Sequence, residues 1–221
     1  MKMKTLMIGA VAAITGSTYA QSLMNGSFET EGPGFVAFTS WMNFGNVFAA
    51  DMGEVVAQDG MLSAKMFGAS SGDQSDQVLE QSGIPATAGE QYTLTTYCQN
   101  LSSDALGAEN LILAQMVFRD SGGADLGIVQ HDAISIVSDP MDQWVRKDLV
   151  AVAPAGTDSI AIFLLHIQLP DANQGGGASF WDNVSLTEGD APCSNPADLN
   201  GDGELNFFDV SQFLTLYSQG C

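Results

Sequence analysis

Three stretches of alternating residues organise the middle of the chain. From Tyr92 to Asn100, Tyr92, Leu94, Thr96 and Cys98 fall on one side, and Thr93, Thr95, Tyr97 and Gln99 on the other. From Leu111 to Arg119, Ile112, Ala114, Met116 and Phe118 stand opposite Leu113, Gln115, Val117 and Arg119. From Ser159 to Leu169, Ala161, Phe163, Leu165 and Ile167 stand opposite Ile162, Leu164, His166 and Gln168. A period of two is the signature of a β-strand with unlike faces. Trp144–Val152 and Ala178–Thr187 read as further strands. Gly, Asn, Asp and Pro punctuate the intervals, and no crossover helix separates the strands. The pattern predicts an all-β fold, an antiparallel jelly-roll β-sandwich. Helical spacing emerges only at the carboxyl end, at Phe207, Phe208, Val210, Phe213, Leu214, Leu216 and Tyr217.

Just ahead of that helix, oxygen-bearing side chains recur at fixed intervals. Asp198, Asn200, Asp202, Asn206 and Asp209 occupy positions 1, 3, 5, 9 and 12 of a twelve-residue loop. Gly203 stands where the loop must turn, and Glu204 offers its main-chain carbonyl. Calcium takes about six to eight hard oxygen ligands, and this spacing wraps one ion. Unlike an EF-hand, position 12 is Asp, and Pro192 and Pro196 keep a helix from leading into the loop. A calcium loop followed by one helix resembles the repeat of dockerin domains. The resemblance implies attachment through a cohesin-like or cell-surface partner. One repeat is present, where cellulosomal dockerins have two. The closing Gln219-Gly220-Cys221 is closer to the Gly-Cys-ended dockerin-like tails of secreted planctomycete proteins. Cys193 and Cys221 bracket the unit and could close it as a disulfide. Cys98 is left over and is expected to be a buried free thiol.

Short signatures add detail upstream. Asn25-Gly26-Ser27-Phe28-Glu29 opens the region, Gly83-Ile84-Pro85 to Leu94 leads into a strand, and Trp181-Asp182-Asn183-Val184 closes it. This succession resembles carbohydrate-binding modules of the jelly-roll, galactose-binding-like type, across nearly all of residues 22–188. The resemblance implies first and last strands side by side, a calcium held there by Glu29 and Asp182, and sugars lying across one concave sheet. Sugar recognition uses flat aromatic rings and planar hydrogen-bonding groups. Tyr97, Gln115, Arg119 and His166, with Gln99 and Gln168, are the candidates on strand faces, and Trp41 and Trp144 the candidate stacking platforms.

Residues 1–20 have the basic start, apolar core and small-residue end of a secretory signal peptide, with cleavage expected before Gln21. The expected organisation is therefore a signal at 1–20, a carbohydrate-binding-like domain at 21–189 and a calcium unit at 190–221, in an exported protein. The whole chain has a formal charge of −20. Beyond residue 20 only Lys65, Arg119, Arg146 and Lys147 are basic. Such a chain repels nucleic acid, anionic lipid and polyanionic substrates. Two histidines in no metal-binding spacing, and no nucleophile elbow or phosphate loop, point away from catalysis. The reading is a secreted, non-catalytic glycan-binding or surface-display protein attached through a calcium-binding dockerin-like tail. A small glycoside hydrolase or polysaccharide lyase, the latter using Tyr97, His166 and Arg119, is the alternative from another class. A structural matrix protein without a small ligand is the third.

Overall fold

A computed structural model describes residues 23–69, 71–170, 176–189 and 207–218. Ten strands fill the first three segments: β1 (Met42–Phe44), β2 (Val47–Ala50), β3 (Ser63–Phe67), β4 (Ser75–Pro85), β5 (Gln91–Asn100), β6 (Asn110–Arg119), β7 (Asp125–Ile134), β8 (Val145–Val152), β9 (Ser159–Gln168) and β10 (Ala178–Gly189). They make two five-stranded antiparallel sheets. Sheet I has the order β1-β4-β9-β6-β7, and sheet II the order β2-β3-β10-β5-β8. Except at β2–β3 and β6–β7, the chain changes sheet at every connection, which is the jelly-roll path. One helix, α1 (Phe207–Ser218), follows near the carboxyl end. The five strands expected from alternation are β5, β6, β8, β9 and β10. The expected signal segment at 1–20, Cys193, Cys221 and the expected loop ligands other than Asp209 lie outside the described residues.

The core between the sheets is apolar. Leu94 and Cys98 come from β5, Ile112, Met116 and Phe118 from β6, Ile160, Ile162 and Leu164 from β9, and Trp181 and Val184 from β10. Burying such a side chain stabilises by about 1.5–3 kcal/mol, so these strands turn apolar residues inward. Cys98 is free and fully buried. Desolvation pushes its thiol far above the ordinary range, so it is unreactive.

Strand β9 corrects the expected assignment of faces. It is the middle strand of sheet I and is apolar on both sides. Ile160, Ile162 and Leu164 are the inward residues, and His166 and Gln168 share their side. His166 is therefore interior rather than on a ligand-binding face. Its Nε2 lies 2.9 Å from Asn110 Oδ1, which can only accept, so Nε2 carries the proton. Its Nδ1 then accepts from Ser179 Oγ at 3.0 Å, and Ser179 in turn accepts from Trp181 Nε1 at 3.0 Å. Burial lowers the imidazole pKa to about 4. The unfolded chain, with an ordinary imidazole, takes up a proton between about pH 6.5 and 4 while the folded chain does not. This stability is complete above that window and is lost as pH falls through it. Urea unfolding of wild type and His166→Gln at pH 7 and pH 4.5 is expected to show wild type losing ground to the variant at the lower pH. A pH-independent difference would contradict the neutral buried ring.

Strand β4 was hidden because its inward side mixes the amides of Gln77 and Gln81 with Leu79 and Ile84. Gln81 accepts from the Met24 amide at 2.7 Å and donates to the Met24 carbonyl at 2.8 Å. Gln77 accepts from the Asn46 amide and donates to Ser75 Oγ. These amides tether neighbouring main chain inside the protein, as buried polar groups must.

The opening and closing signatures meet. Val184 N donates to the Gly26 carbonyl at 2.8 Å, and a Cβ on residue 26 would lie 1.8 Å from the Val184 oxygen. Only glycine permits that approach. Phe28 packs against Phe38 and Trp41 with ring centroids 4.9 and 5.5 Å away. On the far side of sheet II a smaller apolar cluster joins Ala50, Val55, Ala178 and Phe180 to Phe67, Leu101 and Trp144. All four basic residues beyond residue 20 sit in strands and are paired: Lys65 with Glu54 at 2.6 Å, Arg119 with Asp125 at 2.9 Å, Arg146 with Asp148 at 3.0 Å and Lys147 with Asp139 at 3.0 Å. These pairs are partly exposed and each adds little to stability.

Candidate functional site

The outward side of sheet I carries the most developed surface. Strand register builds a row across it: Met42 opposite Glu80, Glu80 opposite Phe163, Phe163 opposite Gln115, and Gln115 opposite Gln130. Val117, Ala161 and Leu165 are buried yet absent from the inter-sheet core. They form the floor of this face, with larger neighbours standing around them. Phe44 and Met42 are exposed at one edge, Ile128 at the other.

Arg119 ends β6 beside this row. Its guanidinium carbon lies 5.8 Å from the Phe163 ring centroid. Nε donates to Asp125 Oδ1 at 2.9 Å, and Nη1 lies 3.7 Å from Glu80 Oε1. Ring and two carboxylates hold the plane of the guanidinium while some of its five N–H groups remain for a ligand. One cation between two anions gives no excess positive charge, so the site suits a neutral ligand. Next to it Gln115 Nε2 donates to Gln130 Oε1 at 2.7 Å, fixing a pair of amides. A half-buried aromatic ring, a fixed guanidinium and two amides are complementary to a ring with an apolar face and hydroxyl edges.

The sequence candidates divide among three layers. Gln115 and Arg119 share the outer face of sheet I. Tyr97 lies outward on sheet II, in register with Asp182 and Arg146, on the opposite side of the molecule. His166 lies between the sheets. Trp41 is 2% exposed, with Nε1 donating to the Asn25 carbonyl at 3.0 Å, and is a core residue rather than a stacking platform. The expected groove of Tyr97 with Gln115 and Arg119 is thus not assembled, nor is the Tyr97–His166–Arg119 set of a lyase. β5 joins the other sheet, and alternation within a strand carries no information on sheet membership. Phe163, Glu80 and Gln130 were missed. Phe163 sits on a strand apolar on both sides, and Glu80 and Gln130 on strands without a clean pattern.

Glu29 and Asp182 converge on one loop. Asp182 is fully buried at a bulge in β10. Its Oδ2 accepts from the amides of Gln58 and Asp59 at 2.7 and 3.0 Å, and its Oδ1 from the Asn183 amide at 2.7 Å. Glu29 Oε1 accepts from the amides of Met61 and Leu62 at 2.9 and 2.8 Å. Burial raises the Asp182 pKa to about 6 against the lowering effect of those donors. Two carboxylates on one loop are hard oxygen donors of the type calcium takes. Among the described residues no group of three or more His, Cys, Asp or Glu surrounds a common point. Main-chain carbonyls or water would have to complete the shell. Asp209, the last residue of the carboxyl-terminal loop, is in the first turn of α1 and is buried.

No protein-family model matches the chain. No curated protein sequence matches it either. Among solved structures, the enzymatically active domain of tailspike protein 4 of bacteriophage CBA120 aligns over 77% of this chain with a TM-score of 0.55 and 17% identity. The chain spans 22% of the length of that tailspike. A cyclase from Fischerella sp. TAU aligns over 77% of this chain and 98% of its own, with a TM-score of 0.52 and 16% identity. The module TmCBM61, solved with beta-1,4-galactotriose, covers 76% of this chain and 97% of its own at a TM-score of 0.49 and 17% identity. At such identities the likeness is one of fold. A fold alone does not fix a function, so function rests on the site.

Proposed function

We propose that this chain is an exported, non-catalytic glycan-binding or surface-display protein whose ligand lies across the outer face of sheet I. The arrangement of Arg119 over Phe163, flanked by Glu80, Asp125 and the Gln115–Gln130 pair, carries the reading. The ring meets the C–H face of a sugar, and the guanidinium and amides meet its hydroxyls. Glu29 and Asp182 hold a structural calcium that pins the loop at residues 58–62. Asp198, Asn200, Asp202, Glu204, Asn206 and Asp209 hold a second calcium in a dockerin-like tail, closed by Cys193 and Cys221. The tail attaches the module to a cohesin-like or cell-surface partner. The dispersal of Tyr97, His166 and Arg119 over three layers favours binding over lyase chemistry.

Affinity electrophoresis against neutral plant and algal polysaccharides, with calcium present, tests the ligand. Retardation by at least one neutral glycan is expected. Silence across the panel, with calcium-dependent self-assembly instead, would favour a matrix protein. Asp202→Ala is expected to abolish calcium binding by the tail in calorimetry and leave the sandwich's melting temperature unchanged. If the sandwich melts earlier in that variant, the division into two units is wrong.

A further inference from the structure

The outer face of sheet II, opposite the proposed glycan surface, carries a second cleft of about 330 Å³. The segment after β2 supplies Glu54 and Val56, β5 supplies Gln99, and the turn before β8 supplies Asp142 and Trp144. Trp144 Nε1 donates to the Val56 carbonyl at 2.9 Å. The indole edge is therefore satisfied, and the ring contributes its face.

The polar side chains of this cleft present acceptors. Gln99 is 6% exposed, and its Oε1 has no hydrogen-bond partner. A buried carbonyl oxygen without a donor is costly, and a bound N–H removes the penalty. Glu54 Oε2 is neutralised by Lys65 at 2.6 Å. Asp142 takes the Ser102 amide on Oδ1 at 2.8 Å, and among the described residues no cation pairs with it. That amide bond also holds the Asp142 carboxyl below its ordinary pKa. The cleft thus offers an uncompensated negative charge, an unsatisfied oxygen and an aromatic face.

We propose that this cleft binds a protonated primary amine. An ammonium brings three donors, for Gln99 Oε1 and the two carboxylates, and a positive charge for Asp142 and the Trp144 ring. The chain's large negative charge raises the local concentration of such a cation, whereas an anion is repelled. A neutral sugar offers donors but gains nothing from the charge. The amine's stem lies against Val56 and Leu101, and this lining accepts a saccharide ring and an alkyl chain alike.

Tryptophan emission of the full chain reports on the cleft. Trp41 and Trp181 are 2% and 0% exposed, while Trp144 is half-buried. Glucosamine and n-butylammonium are titrated at constant ionic strength and pH 6, with glucose and N-acetylglucosamine as neutral controls. A saturable emission change with either amine, and none with the controls, is the expected result. Response to glucosamine alone assigns a saccharide stem, and response to n-butylammonium an alkyl one. Asp142→Asn keeps a residue that tolerates the left-handed backbone at this position (φ 60°) and is expected to weaken binding about tenfold. Gln99→Leu is expected to weaken it as well, and Arg119→Ala on the other face to leave it unchanged. Absence of any response to both amines, equal response to the neutral controls, or undiminished binding in Asp142→Asn and Gln99→Leu would each overturn the proposal. None of these outcomes depends on whether sheet I binds a glycan.

Discussion

Replacing Arg119 with alanine is expected to weaken glycan binding by about 30-fold or more, the effect of losing an interface hot spot worth about 2 kcal/mol. The residue joins the three elements of the site, since the Phe163 ring, Glu80 and Asp125 are all positioned against it. Its removal leaves two carboxylates without their cation and takes away the fixed N–H groups. Arg119→Lys keeps the charge but not the planar fork, so its affinity should fall between wild type and alanine. The pairs are partly solvent-exposed, so the melting temperature should move little. Tyr97→Phe, on the opposite side of the sandwich, serves as a control and should bind like wild type. Unchanged affinity in Arg119→Ala, measured by calorimetry on whichever neutral polysaccharide retards the protein, would remove sheet I as the binding face. A loss in Tyr97→Phe would move the site to sheet II.

The second large effect is expected from Asp182→Ala. The carboxylate accepts three main-chain amides across a sequence separation of up to 124 residues. Its loss orphans the N–H groups of Gln58, Asp59 and Asn183. Water reaches part of the loop and repairs some of this, leaving a cost of about 3 kcal/mol. For a domain of this size that is a fall of about 6–12 °C in melting temperature. Differential scanning calorimetry checks it. If Asp182 also ligates calcium, added calcium stabilises wild type and not the variant. Equal calcium stabilisation of both would locate any structural metal elsewhere, and an unchanged melting temperature would mean that the loop holds its shape without the carboxylate.

The strands and the site were legible in the sequence to different depths. β5 and β6 each have one side richer in polar groups, so period two gave both the strand and its direction. Gln115 and Arg119 lie four residues apart on one such strand, and their shared face followed directly. β9 has period two with apolar residues on both sides, so its direction was set by packing. Phe163 therefore passed for core and His166 for surface. β4 points Gln77 and Gln81 inward, which pattern reading takes as solvent-facing. Their buried roles depend on main-chain groups of Met24 and Asn46, which come near only after folding. Glu29 and Asp182 were marked by short signatures, but the loop that both hold was not, because nothing local to Gln58–Leu62 announces a carboxylate brought from another strand. The division of Tyr97 from Arg119 is a matter of strand order, which alternation does not encode.

The confinement of every lysine and arginine beyond residue 20 to hydrogen-bonded strands bears on resistance to proteolysis. To a trypsin-like protease residues 21–221 offer four cleavage points, at Lys65 in β3, Arg119 in β6, and Arg146 and Lys147 in β8. A protease active site needs several residues of extended, unpaired substrate, and each of these points is engaged in a ladder with its neighbours. Digestion at these points must therefore wait for the sandwich to open, and the scarcity of basic residues that sets the protein's charge also slows its loss to such proteases.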